Sequence, residues 1–546
     1  MPTVSATVAR TLTPYLSHCF GVMGNGNAYL LDALADTDIG YVPVRHEVAG
    51  VVAADAYYRA SARIAAATAT YGPGFTNTLT ALAEAVQAHT PLLLIVGDRP
   101  SSGPRPWDVD QPGLAAAVGA ATFTVDADDP GRITIAALQH ALDERTAVVL
   151  AIPYDLAAAP VAATTPPTLI SRQPPAPDAR SVTSLQRLLS RAERPLLLAG
   201  RGAWLSDAGE ALTELAHRIG ALTATSAGGV GIFDTTPDGR DADLGICGGF
   251  ADDDAAKLIN AADLVLVAGA GLNPFTMRHQ TAFAEDATVV QIDCAPTATH
   301  ERVDHFLHGD VRTTVEALLP HLDPASARQW RQQAANRGDH RHPGTGLAPD
   351  GLLDPRTVAH RLNGVLPADR TVVSDGGHFI GWAPTYWDIP SPNRLIMVGT
   401  QFQSIGLGLP SAVGAGAALS DSTIVLTTGD GGGLMGAADL ETMIRTVRRG
   451  VVVVWNDGYY GAELHQYGSK GLHTEPMRIP TVDFAGVGRA LGAEAAVIAV
   501  PDDLDRLQQW LDSGVDGVFV ADCRISAQIR APYMQTQLSI TARSGR

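Results

Sequence analysis

Residues 423–461 read TIVLTTGDGGGLMGAADLETMIRTVRRGVVVVWNDGYYG. Two apolar runs, 423–429 and 451–455, flank a stretch of helical length, and each run ends in a turn of Gly and Asp. A run that is apolar at nearly every position is the mark of a strand covered on both faces, as in a parallel sheet between helices. The spacing therefore predicts a strand–helix–strand unit that delivers Asp430 and Asp457 to one carboxyl edge, where open α/β sheets bind ligands. Carboxylates from two strand ends suit Mg²⁺, which takes one or two of them and completes its shell with water and ligand phosphate. Gly429, Gly431, Gly432 and Gly433 leave backbone N–H groups open to a phosphate. The segment predicts a metal-bridged diphosphate at a sheet edge.

The same alternation of short apolar runs and Ala-rich stretches extends over the whole chain. Strands are expected at 64–70, 92–97 and 147–153, at 196–200, 264–269 and 288–293, and at 371–374, 423–429, 451–455 and 517–522. A Pro- and Thr-rich stretch (160–178) predicts one linker, and the polar stretch 323–355 contains a second. The expectation is an α/β protein of three doubly wound parallel-sheet domains, at 1–162, 180–325 and 350–546. In the middle unit AGRG (199–202) and AGAG (268–271) read as tight strand-to-helix turns, since neither completes G-x-G-x-x-G.

Of 546 residues 46% are apolar and 18% charged, and the net charge is −18. Such a surface repels nucleic acid and anionic membrane, so neither is expected as a partner. An anionic ligand must be held by local donors or a metal. Cys19, Cys247, Cys294 and Cys523 show no metal-ligand or redox spacing and read as reduced thiols. Nothing resembles a secretion signal or a membrane span, which predicts a cytoplasmic protein.

The GDG…ND segment resembles the cofactor motif of the thiamine-diphosphate-dependent 2-oxo acid decarboxylases and carboligases, the family of acetolactate synthase and benzoylformate decarboxylase. The resemblance implies Mg²⁺ bound by Asp430, Asp457 and the Tyr459 carbonyl. A one-residue slip would put Asn456 and Gly458 there instead, and the gapless register is preferred. Tyr460 continues a GYYGA stretch similar to the family's. Gln403-Ser404-Ile405-Gly406 resembles the segment in which an apolar residue, here Ile405, props the cofactor into a V while the Gln403 carbonyl accepts from its 4′-amino group. Asp375-Gly376-Gly377-His378 resembles the strand end that touches the diphosphate, with His378 a donor to phosphate or substrate.

Further resemblances lie in the first third. Glu47, in RHEVAGVVAADAYY (45–58), matches the family's glutamate that bonds the pyrimidine N1′. That chemistry needs a carboxyl kept in a dry pocket. Gly72 to Asn77, in TYGPGFTN (70–77), match a wall of the pyrimidine pocket. Asn25 stands where decarboxylases carry an acid or Ser, and can only orient. Gln111 matches a substrate-channel position. The resemblance implies pyrimidine-binding, central and diphosphate-binding domains in that order, and a homodimer or dimer of dimers with the site between subunits. It implies a decarboxylated 2-oxo acid passed to a carbonyl acceptor (a transferase), or released as an aldehyde (a lyase). The scarcity of acids at Asn25 and Gln111 favours ligation, whereas Glu463, His465 and Gln466 occupy positions that are apolar or Trp in acetolactate synthases. FAD, bound centrally by some members, has no specific signature here.

Overall fold

In the computed structural model, residues 1–233, 242–323, 328–335, 337 and 341–544 are described. They form three six-stranded sheets in which every pairing is parallel. The first comprises β1 (His18–Gly21), β2 (Gly40–Pro43), β3 (Ala66–Ala69), β4 (Leu92–Asp98), β5 (Ala121–Thr124) and β6 (Ala147–Pro153), in the order 2-1-3-4-6-5. The third comprises β13 (Arg370–Ser374), β14 (Leu395–Ile396), β15 (Thr423–Gly429), β16 (Arg449–Asn456), β17 (Glu494–Ile498) and β18 (Gly517–Arg524). Its order, 14-13-15-16-18-17, repeats that of the first sheet. The middle sheet comprises β7 (Pro195–Ala199), β8 (Leu222–Thr225), β9 (Asp243–Ile246), β10 (Leu264–Ala268), β11 (Thr288–Asp293) and β12 (His305–His308), ordered 12-11-10-7-8-9. That is the dinucleotide-fold order read from the other edge.

Alternation along the strands makes the layers. Leu92, Leu94 and Val96 enter one core, while Leu93 and Ile95 enter the core on the opposite face of the first sheet. In the third sheet Ile424 and Leu426 face one way and Val425 the other. Each such side chain, fully buried, contributes roughly 1.5–3 kcal/mol. One core runs without interruption from the first sheet to the third. It passes through two crossed helices, Glu47–Ser61 and Gly408–Ala418, that are buried along most of their length. Their backbones meet at Gly414, where a Cβ would lie 2.0 Å from the Ala53 carbonyl oxygen. This contact carries Glu47 on one helix and, just ahead of the other, Ile405.

In the middle sheet the two Gly-rich turns pack on each other. A Cβ on Gly200 would meet the Gly269 oxygen at 2.4 Å, and Gly269 has φ +58°. These glycines serve close strand-to-helix packing, as expected for tight turns. The stretch 161–178 lacks regular structure and is largely exposed. The stretch 323–355 is not all linker. Arg328–Ala335 is a helix, and the Trp330 indole donates to the Pro195 carbonyl at 2.9 Å. Residues 324–327, 336 and 338–340 of that stretch lie outside the described ones. Among the described residues no helix is long and apolar enough to cross a membrane, and the four cysteines are free thiols.

Gly414→Ala tests the helix crossing. The added methyl must push two buried backbones apart, an overpacking that costs about 1–3 kcal/mol. The thermal midpoint should fall while an exposed Gly→Ala at Gly364, where a Cβ meets nothing within 4 Å, leaves it in place or raises it.

Candidate active site

The chain leaves the middle of the third sheet in opposite directions after β13, so the carboxyl ends of β13 and β15 open a crevice. Asp375, at the end of β13, is buried and binds this crevice together. Its carboxylate accepts from the backbone N–H groups of Gly376 (2.8 Å) and Gly406 (2.9 Å) and from Thr428 Oγ1 (3.1 Å). Strand ends β13 and β15 are thereby tied to the loop that presents Gln403 and Ile405. Burial raises the Asp375 pKa, opposed by these donors. Gln403 takes a left-handed backbone (φ +57°), and Ile405 rests against Gly376, where a Cβ would meet its Cγ2 at 3.0 Å.

Asp430 and Asp457 extend from neighbouring strands, paired so that Gly429 lies opposite Trp455. Asp430 accepts from the N–H of Gly431 at 3.0 Å and of Gly458 at 2.8 Å, and Asp457 from that of Tyr459 at 2.9 Å. Burial pushes the Asp430 carboxyl up to about 6. Burial and then the charge of Asp430 push Asp457 up to about 8. Two carboxylates crowded in this way call for a cation between them. Gly429, Gly431 and Gly432 are filled around by Phe379, Tyr460 and Asp375, so a side chain at any of them would obstruct the turn. Tyr460 is fixed by its N–H to the Met477 carbonyl at 2.8 Å, and the Tyr459 hydroxyl accepts from Arg478 at 3.2 Å.

Asn456 is turned away from this pair. Its amide donates to the Val482 carbonyl (3.1 Å) and to Asp522 (2.9 Å), which fastens β16 to β18. These bonds hold the Asn456 side chain inside the sheet, toward β18, which disfavours the slipped register. His378, beyond Gly377 (φ +142°), is buried, and its Nε2 accepts from the Ala531 N–H at 2.8 Å. The ring therefore carries its proton on Nδ1. Burial, with His465 and Arg530 nearby, pushes its pKa down to about 3, so it can donate a hydrogen bond but supplies no charge to a phosphate.

The first sheet has its own crevice, after β1 and β3. Asn27 is buried there and closes the turn after β1, accepting from the Gly24 N–H (2.8 Å) and donating to the Val22 carbonyl (3.0 Å). Gly72, at φ +60°, opens a short helix begun by Pro73. Glu47 is the first residue of its helix, with 17% of its side chain exposed. Asn77 Nδ2 donates to Glu47 Oε2 at 3.0 Å. No hydrogen bond reaches Oε1 from the described residues, and a Cβ on Gly74 would lie 3.4 Å from it. Asn25 is exposed and donates to the Tyr71 hydroxyl at 2.9 Å.

Gln111 requires a correction. Its amide is buried, with Oε1 accepting from the Gly72 N–H at 2.8 Å and Nε2 donating to the Gly97 carbonyl at 3.0 Å. Both ends hold the 70–77 turn to the end of β4, and the side chain is buried rather than open to a substrate channel.

A cleft of about 1650 Å³ reaches from the third sheet's crevice, where His378, Ile405, Asp430, Asp457 and Tyr460 line it, past the middle domain (Arg201, Phe275) to the first domain (Arg59, Arg145). Asn25, Glu47, Gly72, Asn77 and Gln111 are not in its walls. The first-domain candidates thus open elsewhere than the third-domain ones.

Family models for thiamine pyrophosphate enzymes match three stretches: the N-terminal TPP binding domain at residues 2–113, the central domain at 182–318 and the C-terminal TPP binding domain at 375–522. The chain belongs to the thiamine pyrophosphate enzymes. It is 30% identical to a Pseudomonas aeruginosa protein named Probable 2-ketoarginine decarboxylase, over 94% of this chain and 92% of that one. It is also 30% identical to the Escherichia coli acetolactate synthase isozyme 2 large subunit, over 78% and 77% of the two chains. The Rhodococcus jostii thiamine diphosphate-dependent 4-hydroxybenzoylformate decarboxylase shares the fold, with TM-score 0.81 and 21% identity over 96% of this chain and 99% of that one.

Within this thiamine pyrophosphate enzyme, one buried network joins the first domain to the cofactor loop. Arg59 donates to Asp55 (2.7 Å), to Glu84 (2.9 Å) and to the Met397 carbonyl (2.7 Å). Glu84 in turn accepts from the N–H groups of Gln401 and Phe402. The sequence signal for it is charge within two Ala-rich helices, Asp55 and Arg59 in one and Glu84 in the other, where unpaired charges would be costly.

The raised carboxyls have a consequence for stability. A carboxyl whose pKa rises on folding stabilises the protein fully below its unfolded value, and that contribution is lost as pH climbs through the folded value. Without a divalent cation, the melting temperature should therefore fall across the range from about pH 4 to about 8. Asp457→Asn should fall less over the same range, and Mg²⁺ at pH 8 should raise the wild type more than the variant. Identical profiles would remove the crowded pair as the cause.

Proposed function

We propose that this chain is a Mg²⁺- and thiamine-diphosphate-dependent, non-oxidative 2-oxo acid decarboxylase that releases an aldehyde, working as a homodimer or dimer of dimers. The observation that carries the cofactor chemistry is the Glu47 carboxyl, with one oxygen committed to Asn77 and the other open. The complementary half, with its crowded carboxylates and glycine turn, faces a different opening of the same chain. A second copy would bring the halves together. Apolar side chains are exposed beside both of them: Met23, Tyr29 and Trp107 near the first, Phe402, Leu434 and Met435 near the second. Exposed apolar surface of this kind marks a protein interface.

The residues fit the cofactor. Asp430, Asp457 and the Tyr459 carbonyl would hold Mg²⁺, the N–H groups after Gly429 the diphosphate, Ile405 and the Gln403 carbonyl the bend, and Glu47 the pyrimidine. Thiamine diphosphate supplies the carbon nucleophile and the electron sink for loss of CO₂. Glu47 holds and returns a proton at its open oxygen. His378, neutral and pinned by Ala531, offers Nδ1–H as a donor to an anionic group. The apolar rim excludes water once subunits meet.

Decarboxylation is favoured over ligation by the relatives that match nearly the full length of both chains: the one named as a decarboxylase is 30% identical, against 25% for those named as sulfoacetaldehyde acetyltransferases. Ligation remains the second reading because Asn25, exposed at the first half-site, cannot return a proton as an acid.

A panel of 2-oxo acids with Mg²⁺ and thiamine diphosphate should give CO₂ and aldehyde in equal amounts. Glu47→Gln should lower kcat by about 10²–10⁴-fold. Acyloin as the main product would select ligation, and full activity in Glu47→Gln would remove the proposed role of the carboxyl.

A further inference from the structure

Immediately after the carboxylate turn comes a short helix, Gly461–Gln466. Its inner side is set by Gly461, where a Cβ would meet the His378 Cβ at 3.1 Å and Asp457 Oδ2 at 3.2 Å. Ala462, Glu463 and Gln466 lie in the cleft wall. Facing them in the same wall is Tyr533, from the C-terminal helix Pro532–Ser544, with its hydroxyl donating to the Gly377 carbonyl at 3.3 Å. Burial and then the charge of Glu463 raise the Tyr533 pKa.

The charges at this end of the cleft are nearly all accounted for. Asp430 and Asp457 face each other at the proposed cation site. Burial keeps His378 neutral, with its pKa at about 3, and pushes His465 down to about 4. Arg530 donates to His465 Nδ1 at 3.2 Å. Residues two apart on a helix point to opposite sides, so His465 and Arg530 lie behind the helix from Glu463. Glu463 itself is exposed in the cleft wall, where water solvates it, and has no side-chain hydrogen bond or ion pair among the described residues. A carboxylate that a substrate closes off from water costs several kcal/mol unless a donor or cation meets it. An apolar or anionic substrate would leave that cost in place.

We propose that Glu463 selects the substrate by pairing with an ammonium or guanidinium group at the far end of a 2-oxo acid side chain. This rests on the decarboxylase reading of the same cleft. Tyr533, anchored at Gly377, limits where that group can sit, and Gln466, one turn on from Glu463, offers an amide to its remaining donors.

The test compares isosteres. For the Mg²⁺- and thiamine-diphosphate-loaded enzyme, kcat/KM for CO₂ release is measured with 5-guanidino-2-oxopentanoate, with its uncharged 5-ureido analogue and with 2-oxoadipate. The guanidino acid should exceed the ureido acid by about 30-fold or more, the loss expected when one partner of a desolvated charge pair is removed. Glu463→Gln should bring that ratio to about one, and Glu463→Lys should turn the preference toward 2-oxoadipate. A 6-amino-2-oxohexanoate arm distinguishes ammonium from guanidinium recognition. A wild-type ratio at or below about one, or an unchanged ratio in Glu463→Gln, would overturn the assignment. Acyloin in place of aldehyde would overturn the decarboxylase reading while leaving the ratio as the judge of Glu463. If no acid turns over, calorimetry of the loaded protein with the guanidino and ureido acids reads the same ratio as dissociation constants.

Discussion

Two carboxylates, Asp430 and Asp457, project from adjacent parallel strands into a buried crevice, and their mutual repulsion is the constraint around which this half of the molecule is organised. Neither can move away. Backbone N–H groups of Gly431, Gly458 and Tyr459 fix both side chains, and the strand register fixes their separation. A divalent cation between them, as proposed for Mg²⁺, would relieve that repulsion. The glycines that follow Asp430 are a consequence: a side chain there would strike Tyr460 or the Asp375 carboxylate.

Binding a cation at one edge is useful only if the remaining parts keep their distances, and three buried polar groups see to that. Asp375 ties two strand ends to the loop of Gln403 and Ile405. Glu84 and Arg59 tie the same loop to the first domain. Gln111 ties the pyrimidine-side turn to β4. Each satisfies backbone groups that would otherwise be costly to bury. The close contact of Ala53 and Gly414 then sets the first and third domains at one mutual angle. The result is two half-sites opening on different surfaces, each bordered by exposed apolar side chains.

The ten strands expected from apolar runs are all present, within two residues at each end. The six edge strands were not legible, nor were β1 and β8 beside them. Interior strands are covered on both faces and so are apolar throughout. Edge strands such as Glu494–Ile498 are short, with some faces in water, and their composition is mixed. The paired acidic strand ends and the glycine turn were legible for a related reason: they are strand-end turns at fixed spacing, local in the chain. The framework roles of Gln111 and Glu84 were not legible for the opposite reason. Each acts on backbone groups far away in sequence, which no local pattern records.

From its order of residues alone, this chain was determined to be a three-part parallel α/β protein with paired acidic strand ends, a glycine cradle and a distant lone glutamate. Those features are periodic or contiguous, and solvent exposure on two faces of a strand leaves its imprint directly on composition. The tertiary structure decided which polar residues are free to act. Asn456 and Gln111 were bound into the framework, Glu47 retained one open oxygen, and Glu463 was left as an unmatched charge in the cleft. Hydrogen-bond satisfaction is a property of three-dimensional neighbours, so only the folded chain could settle it.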